Sequence, residues 1–426
     1  MTDTLTDADL ERHALDNGLK VVLHHDPAIP LVAINLWYHV GSKNERRGRT
    51  GFAHLFEHLL FQGSANVDAN EHFRYVQQAG GVANGSTWFD RTNYHEVLPS
   101  HQLDLGMWLE SDRMGFFLPA ITQEKLETQR DVVINERRQK MDNQPYGLAF
   151  ERLHEQLYLE NHPYSWPVIG YIPDIEAATL DDVRDFFRTY YAPNNAVLTL
   201  AGDFDRGRAL DSIARYFGDI PPTGPVPRPQ IPQESKSGVR REVLEDKVHL
   251  PRLYMAFQGP AYGEDAWYAG DILTAALASG KSSLLYRDLI YERQLAQDVG
   301  CFLFPTEVEA TFTFMITARP GVELMDIERA VFEHLETIRR GELPEDQLDR
   351  SRNRLLTSYY HDLQSLDQRA DLLSHFTTFF DAPELVFRQG SRYRAVQNAD
   401  LTAFVNRYLT PENRAVVHVV PKKDPS

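Results

Sequence analysis

A segment that occurs twice constrains this chain more than any other feature. Asp182-Val-Arg-Asp-Phe-Phe-Arg-Thr-Tyr190-Tyr-Ala-Pro193-Asn-Asn195 aligns without gaps on Asp400-Leu-Thr-Ala-Phe-Val-Asn-Arg-Tyr408-Leu-Thr-Pro411-Glu-Asn413. Asp, Phe, Tyr, Pro and Asn coincide. Each copy then runs into an apolar segment, Ala196-Val-Leu-Thr-Leu-Ala201 or Ala415-Val-Val-His-Val-Val420. The pattern predicts a helix that stops before a proline, followed by a β-strand. The copies lie 218 residues apart, about half of the 426-residue chain. Two homologous domains, each of about 200 residues, are therefore expected.

A proline-rich run from Pro221 to Gln233, followed by the polar stretch Glu234 to Gly238, cannot pack a core and reads as an extended spacer. The expected division is an N-terminal domain over 1–220, a linker over 221–238 and a C-terminal domain over 239–426. Strand patterns and helical patterns alternate within each half. Leu19 to His24, Leu31 to Tyr38, Arg252 to Phe257 and Ala310 to Thr317 read as strands, being rich in β-branched and aromatic residues. Thr122 to about Leu159 reads as mostly helical with breaks between Asp142 and Gly147, and Ile327 to Ile338 and Glu345 to Tyr360 also read as helices. The expected class is α+β, each domain a mainly antiparallel sheet with helices packed on one face.

Composition narrows the chemistry. The formal net charge of −17 argues against nucleic acid or an anionic membrane surface as partner. It is compatible either with plain solubility or with attraction of basic peptides. No segment approaches 18 uninterrupted apolar residues, so no membrane-spanning helix is expected. The N-terminal stretch is polar and acidic and lacks the features of a signal peptide, which makes the cytoplasm the expected compartment, or the periplasm if a leader has been removed. Cys301 is the only cysteine. Any bound metal must then use histidines and carboxylates, which suits zinc.

One such group is legible. His54-Leu-Phe-Glu57-His58 is an H-x-x-E-H motif inside the otherwise apolar run Gly51 to Phe61. Residues four apart share one helical face, so His54 and His58 can grip one metal ion while Glu57 aims at a zinc-activated water. Burying two imidazoles and a carboxylate without partners would cost several kcal/mol, and a metal removes that cost. A third protein ligand must come from elsewhere. Glu136, after the apolar run Val132-Val133-Ile134, is a candidate, although a solvated carboxylate paired with Arg130 or Lys140 is the simpler reading of that position. Asn84-Gly85 by itself reads as a tight turn.

Taken together, these residues resemble the M16 family of metallopeptidases, the inverted-zincin group that carries H-x-x-E-H, and in particular its short bacterial branch related to the mitochondrial processing peptidase. Gly51 to Gly63 resembles the family's zinc segment, Gly80 to Tyr94 its substrate-binding strand, and Arg130 to Glu136 its third-ligand segment, 78 residues after His58. His162 to Gly170 and Gly202-Asp-Phe204 are further family-like stretches. The resemblance implies one zinc per chain on His54, His58 and Glu136, with Glu57 as general base. It implies substrate contacts at Asn84 and Gly85, and domains that each form part of a clamshell chamber.

The implied activity is a zinc endopeptidase acting on unfolded or presequence-like peptides. The alternative is a non-catalytic assembly or peptide-binding subunit. The implied partners are the peptide substrate and a second subunit, either another copy or a companion lacking the motif. Gln129 stands where many relatives have a second glutamate, and an amide there cannot supply negative charge. In the second half, Gly280 to Arg287 occupies the place of the zinc helix without a histidine, and Ser358 corresponds to Glu136. The repeat thus keeps the scaffold and loses the ligands.

Overall fold

A computed structural model describes residues 9–232 and 236–422. Residues 233–235, inside the expected linker, lie outside the described residues, as do the first eight residues of the polar N-terminus and residues 423–426. The chain forms two compact units, each built on one sheet. Met1–Glu136, Pro167–Gln230 and Tyr360–Arg388 make the first; Arg137–Trp166, Ile231–Tyr359 and Gln389–Ser426 make the second. One of the passages from one unit to the other falls within the proline-rich stretch. Compactness does not follow the repeat alone, because each unit also takes a segment from the opposite half of the sequence.

In the first unit, β1 (Leu10–Ala14), β2 (Lys20–His25), β3 (Leu31–Tyr38), β4 (Val82–Thr87), β5 (Thr92–Pro99) and β6 (Ala196–Gly202) form a six-stranded sheet in the order β1-β2-β6-β3-β5-β4. Only β2 and β6 pair in parallel. In the second, β7 (Val239–Asp246), β8 (Arg252–Gln258), β9 (Ala296–Phe304), β10 (Thr311–Ala318) and β11 (Arg414–Pro421) run β7-β11-β8-β10-β9, with β7 and β11 parallel. Apart from the extra β1, the two orders are the same. β6 and β11, the strands that follow the repeated segment, occupy the same place in each.

The repeated aspartate has a structural task in both copies. The helices Leu180–Tyr190 and Asn398–Tyr408 each carry it in the first turn. Asp182 accepts from the Thr179 N–H at 3.0 Å, and Asp400 from the Gln397 N–H at 2.8 Å. These are capping boxes that satisfy backbone donors at the helix start. The repeated proline follows each helix and forces the turn into the strand.

The α+β class and the mainly antiparallel sheets are as expected. The layering differs in one respect: the central strands are covered on both faces, not one. Val32, Ile34, Leu36 and Tyr38 of β3 enter the main core with α1 (Phe52–Leu59) and α3 (Leu103–Phe116). Ala33 faces the other way and packs with Ala201 against Leu366 and Ala370 of the helix Leu366–Phe380. That helix is fixed by polar contacts as well. Asp371 accepts from Trp37 Nε1 at 2.9 Å, Asn93 Nδ2 at 3.2 Å and Asn35 Nδ2 at 3.3 Å. The physical reason lies in β3 itself, whose nearly unbroken apolar run needs cover on both sides. In the second unit α5 (Ala149–Leu157), from the N-terminal half of the sequence, packs across β7, β8 and β11. Among the described residues no helix is long and apolar enough to cross a membrane.

Candidate metal centre

α1 carries the H-x-x-E-H motif on eight residues. So short a helix needs its free N–H groups satisfied. Gly51, at φ 83°, offers no capping side chain, and the carboxylate of Glu45 serves instead. It accepts from the N–H groups of Gly51 at 2.9 Å and Ala53 at 2.7 Å. Gly51 and Gly170 both have positive φ, and a Cβ on Gly170 would lie 2.4 Å from Gly51 Cα. The entry to α1 is therefore closed by two glycines that touch. Phe52, Ala53, Leu55, Phe56 and Leu59 are buried, which leaves His54, Glu57 and His58 on the remaining face.

α4 (Gln123–Arg137) brings the third candidate. Leu126, Gln129 and Val133 are buried, and Glu136 continues the same face one turn further on. Arg130, one of the two cations expected to pair with Glu136, donates to the carbonyls of Glu176 and Ala178 at 2.8 and 3.1 Å. Glu136 Oε2 lies 3.2 Å from His58 Nε2 and 3.8 Å from His54 Nε2. Donors on a tetrahedral zinc with bonds of about 2.1 Å sit roughly 3.4 Å apart. The two imidazoles and the carboxylate, all within 4.8 Å of one another, thus fit a zinc ion, and all three side chains keep some exposure to solvent.

Glu57 is held beside this group. Its Oε2 accepts from the Thr87 hydroxyl at 2.6 Å. Burial raises its pKa above the ordinary carboxylate value, against the hydrogen bond from Thr87 and the nearby His58 and Arg91, which favour the charged form.

β4 lies at the end of its sheet, paired only with β5. Asn84 and Gly85 lie within the strand and not in a turn; the hairpin turn comes later, where the Trp88 N–H donates to the Arg91 carbonyl at 2.9 Å. Alternation from that closing bond points the backbone groups of Ser86 and Asn84 at β5 and those of Thr87, Gly85 and Ala83 at the open edge. Asn84 Oδ1 accepts from the outward N–H of Gly85 at 2.9 Å. A Cβ on Gly85 would meet Phe61, Glu57 Cγ and Tyr94 at 3.1 to 3.2 Å. A side chain at position 85 would crowd the motif helix, so closely does the strand pass it.

The motif and the likeness of the surrounding segments point to His54, Glu57, His58, Glu136, Asn84 and Gly85. They do not point to Glu45, Thr87 or Arg91. Thr87 had one usable signal: it is two residues from Gly85 and so shares its face.

A second convergence of metal-type side chains joins His72 on α2 (Glu71–Gln78), Glu96 on β5 and Glu110 on α3, all buried. It has a cation of its own beside it. Arg113 pairs with Glu110 and stacks over the Tyr94 ring at 4.0 Å. Burial moves Glu96 up to about 7 and His72 down to about 3, towards their neutral forms.

Comparison with known proteins identifies the family. Residues 20–169 match the model of insulinase-type peptidases of family M16, and residues 177–355 match that of the M16 inactive domain. The chain is 29% identical over 420 residues to the zinc protease PqqE of Helicobacter pylori, covering 96% of this chain and 93% of that protein. The crystal structure of a Helicobacter pylori protease superposes with a TM-score of 0.91 at 28% identity, over 97% of this chain and 99% of the other. A peptidase M16 inactive domain from Pseudomonas fluorescens shares the fold at 18% identity, with a TM-score of 0.86 over 98% and 99% of the two chains. With both of its halves matched in order, the chain belongs to the M16 family of peptidases.

Proposed function

We propose that this protein is a zinc-dependent endopeptidase with one metal ion per chain, held by His54, His58 and Glu136. The observation that carries the reading is the approach of Glu136 to both imidazoles, from a helix 78 residues further along the chain. Zinc in this setting supplies a Lewis acid that polarises water and the scissile carbonyl. Glu57, fixed beside His58, takes the proton of the attacking water and passes it to the leaving amine. The open edge of β4 accepts an extended peptide as an added strand through the outward backbone of Gly85, and Asn84 turns its amide to the incoming backbone. Recognition of main chain in this way favours unfolded or presequence-like segments over folded proteins. The domains over 1–220 and 239–426 descend from one ancestral unit, and only the first retains ligands. The working form is a dimer of two copies or of this chain with a companion lacking the motif.

The test is digestion of a peptide library by the purified protein, with and without a chelator, read by mass spectrometry. Chelator-sensitive cleavage is expected. In Glu57→Gln the bound zinc should remain while turnover falls by at least about 100-fold. Full activity in that variant sinks the mechanism.

A further inference from the structure

We propose that Thr87 is the positioning residue for Glu57, and that β4 thereby serves both as the strand that receives peptide and as the support of the general base. The inference rests on the peptidase reading above. Thr87 Oγ1 donates to Glu57 Oε2 at 2.6 Å and lies 3.5 Å from the Ala53 carbonyl, one turn earlier on α1. Alternation along β4 puts Gly85 and Thr87 on one face, so the two residues bracket Glu57. Gly85 lies against its methylene stem, and Thr87 holds one carboxylate oxygen. A flexible side chain held at both places keeps a single rotamer, and its second oxygen is the one available to take a proton.

The far end of β4 is itself fixed. Arg91 Nη1 donates to the Ser86 carbonyl at 2.8 Å, to Ser86 Oγ at 2.6 Å and to Asn93 Oδ1 at 3.1 Å. Its guanidinium lies 5.3 Å from the centre of the Trp37 ring. The hydroxyl of Thr87 is therefore presented from a rigid strand end. The same residue shows its backbone groups to the open edge, so a peptide added there is laid down in a frame shared with the base.

The experiment compares Thr87→Val, which keeps the branched shape and loses the hydroxyl, with Thr87→Ser, which keeps the donor. Steady-state cleavage of a fluorogenic peptide is measured beside zinc content and urea unfolding. Loss of a hydrogen bond to a charged group should lower kcat of Thr87→Val by about 10- to 100-fold. KM should stay within about twofold and zinc at one per chain, and Thr87→Ser should restore kcat to within about threefold of the parent. A Thr87→Val enzyme with parental kcat overturns the proposal. So does equal loss in both variants, or loss that follows zinc or unfolding, since each marks a merely structural contact. If the parent protein shows no chelator-sensitive cleavage, the peptidase reading falls and takes this inference with it.

Discussion

At the scale of single residues, the centre divides into what lies four positions apart and what does not. His54, Glu57 and His58 are legible because one helical turn joins them. Glu136 is not legible from pattern, since a carboxylate after an apolar run is an ordinary helix residue; likeness to family segments singled it out, and the fold brings it to 3.2 Å from His58. Thr87 and Glu45 act on residues 30 and 8 positions away, and no local rule connects those pairs. If Glu136 is the third ligand, Glu136→Gln should weaken zinc binding by at least about tenfold, read by metal analysis after dialysis against a competing chelator. Unchanged affinity would point to another ligand.

At the scale of elements, the strands and helices read from periodicity are largely those found. β3 spans Leu31–Tyr38 as expected, and the helical stretch after Thr122 breaks between α4 and α5 near the residues anticipated. Asn84-Gly85 shows where local preference misleads. The pair favours a turn, yet it lies inside β4 because pairing with β5 and contact with α1 outweigh the small cost of a glycine in a strand. That close contact predicts that Gly85→Val overpacks the seam against Phe61, Glu57 and Tyr94. A stability loss of about 1–3 kcal/mol is expected, measured by urea unfolding. An unchanged unfolding midpoint would show that the seam is slack.

At the scale of the whole molecule, each unit holds a histidine that burial keeps neutral: His24 in the first and His154 in the second, both lowered to about 4. His154 Nδ1 donates to the Tyr164 carbonyl at 3.0 Å, which suits a neutral ring. Below pH 6.5 the unfolded chain takes up these protons and the folded chain does not. Stability should therefore fall as pH drops from about 6.5 to about 4, by up to roughly 3 kcal/mol for each of these two histidines, whose contribution levels off below that, while the buried His72 extends the fall to about pH 3. Denaturant unfolding at pH 7, 5.5 and 4 checks this, and a His154→Phe variant should flatten the slope.

The sequence by itself determined several of the central strands and long helices, the internal duplication, and the two histidines and glutamate of the motif. Periods of 2 and 3.6 residues and short capping patterns act over a few positions, so they can be read in one dimension. Only the tertiary structure decided which segment covers the second face of each sheet, that Glu136 meets the motif, and that Thr87 reaches Glu57. Those contacts join residues tens to hundreds of positions apart. They follow from the need of central strands to be buried on both faces and from the register that brings β4 against α1, neither of which any local pattern encodes.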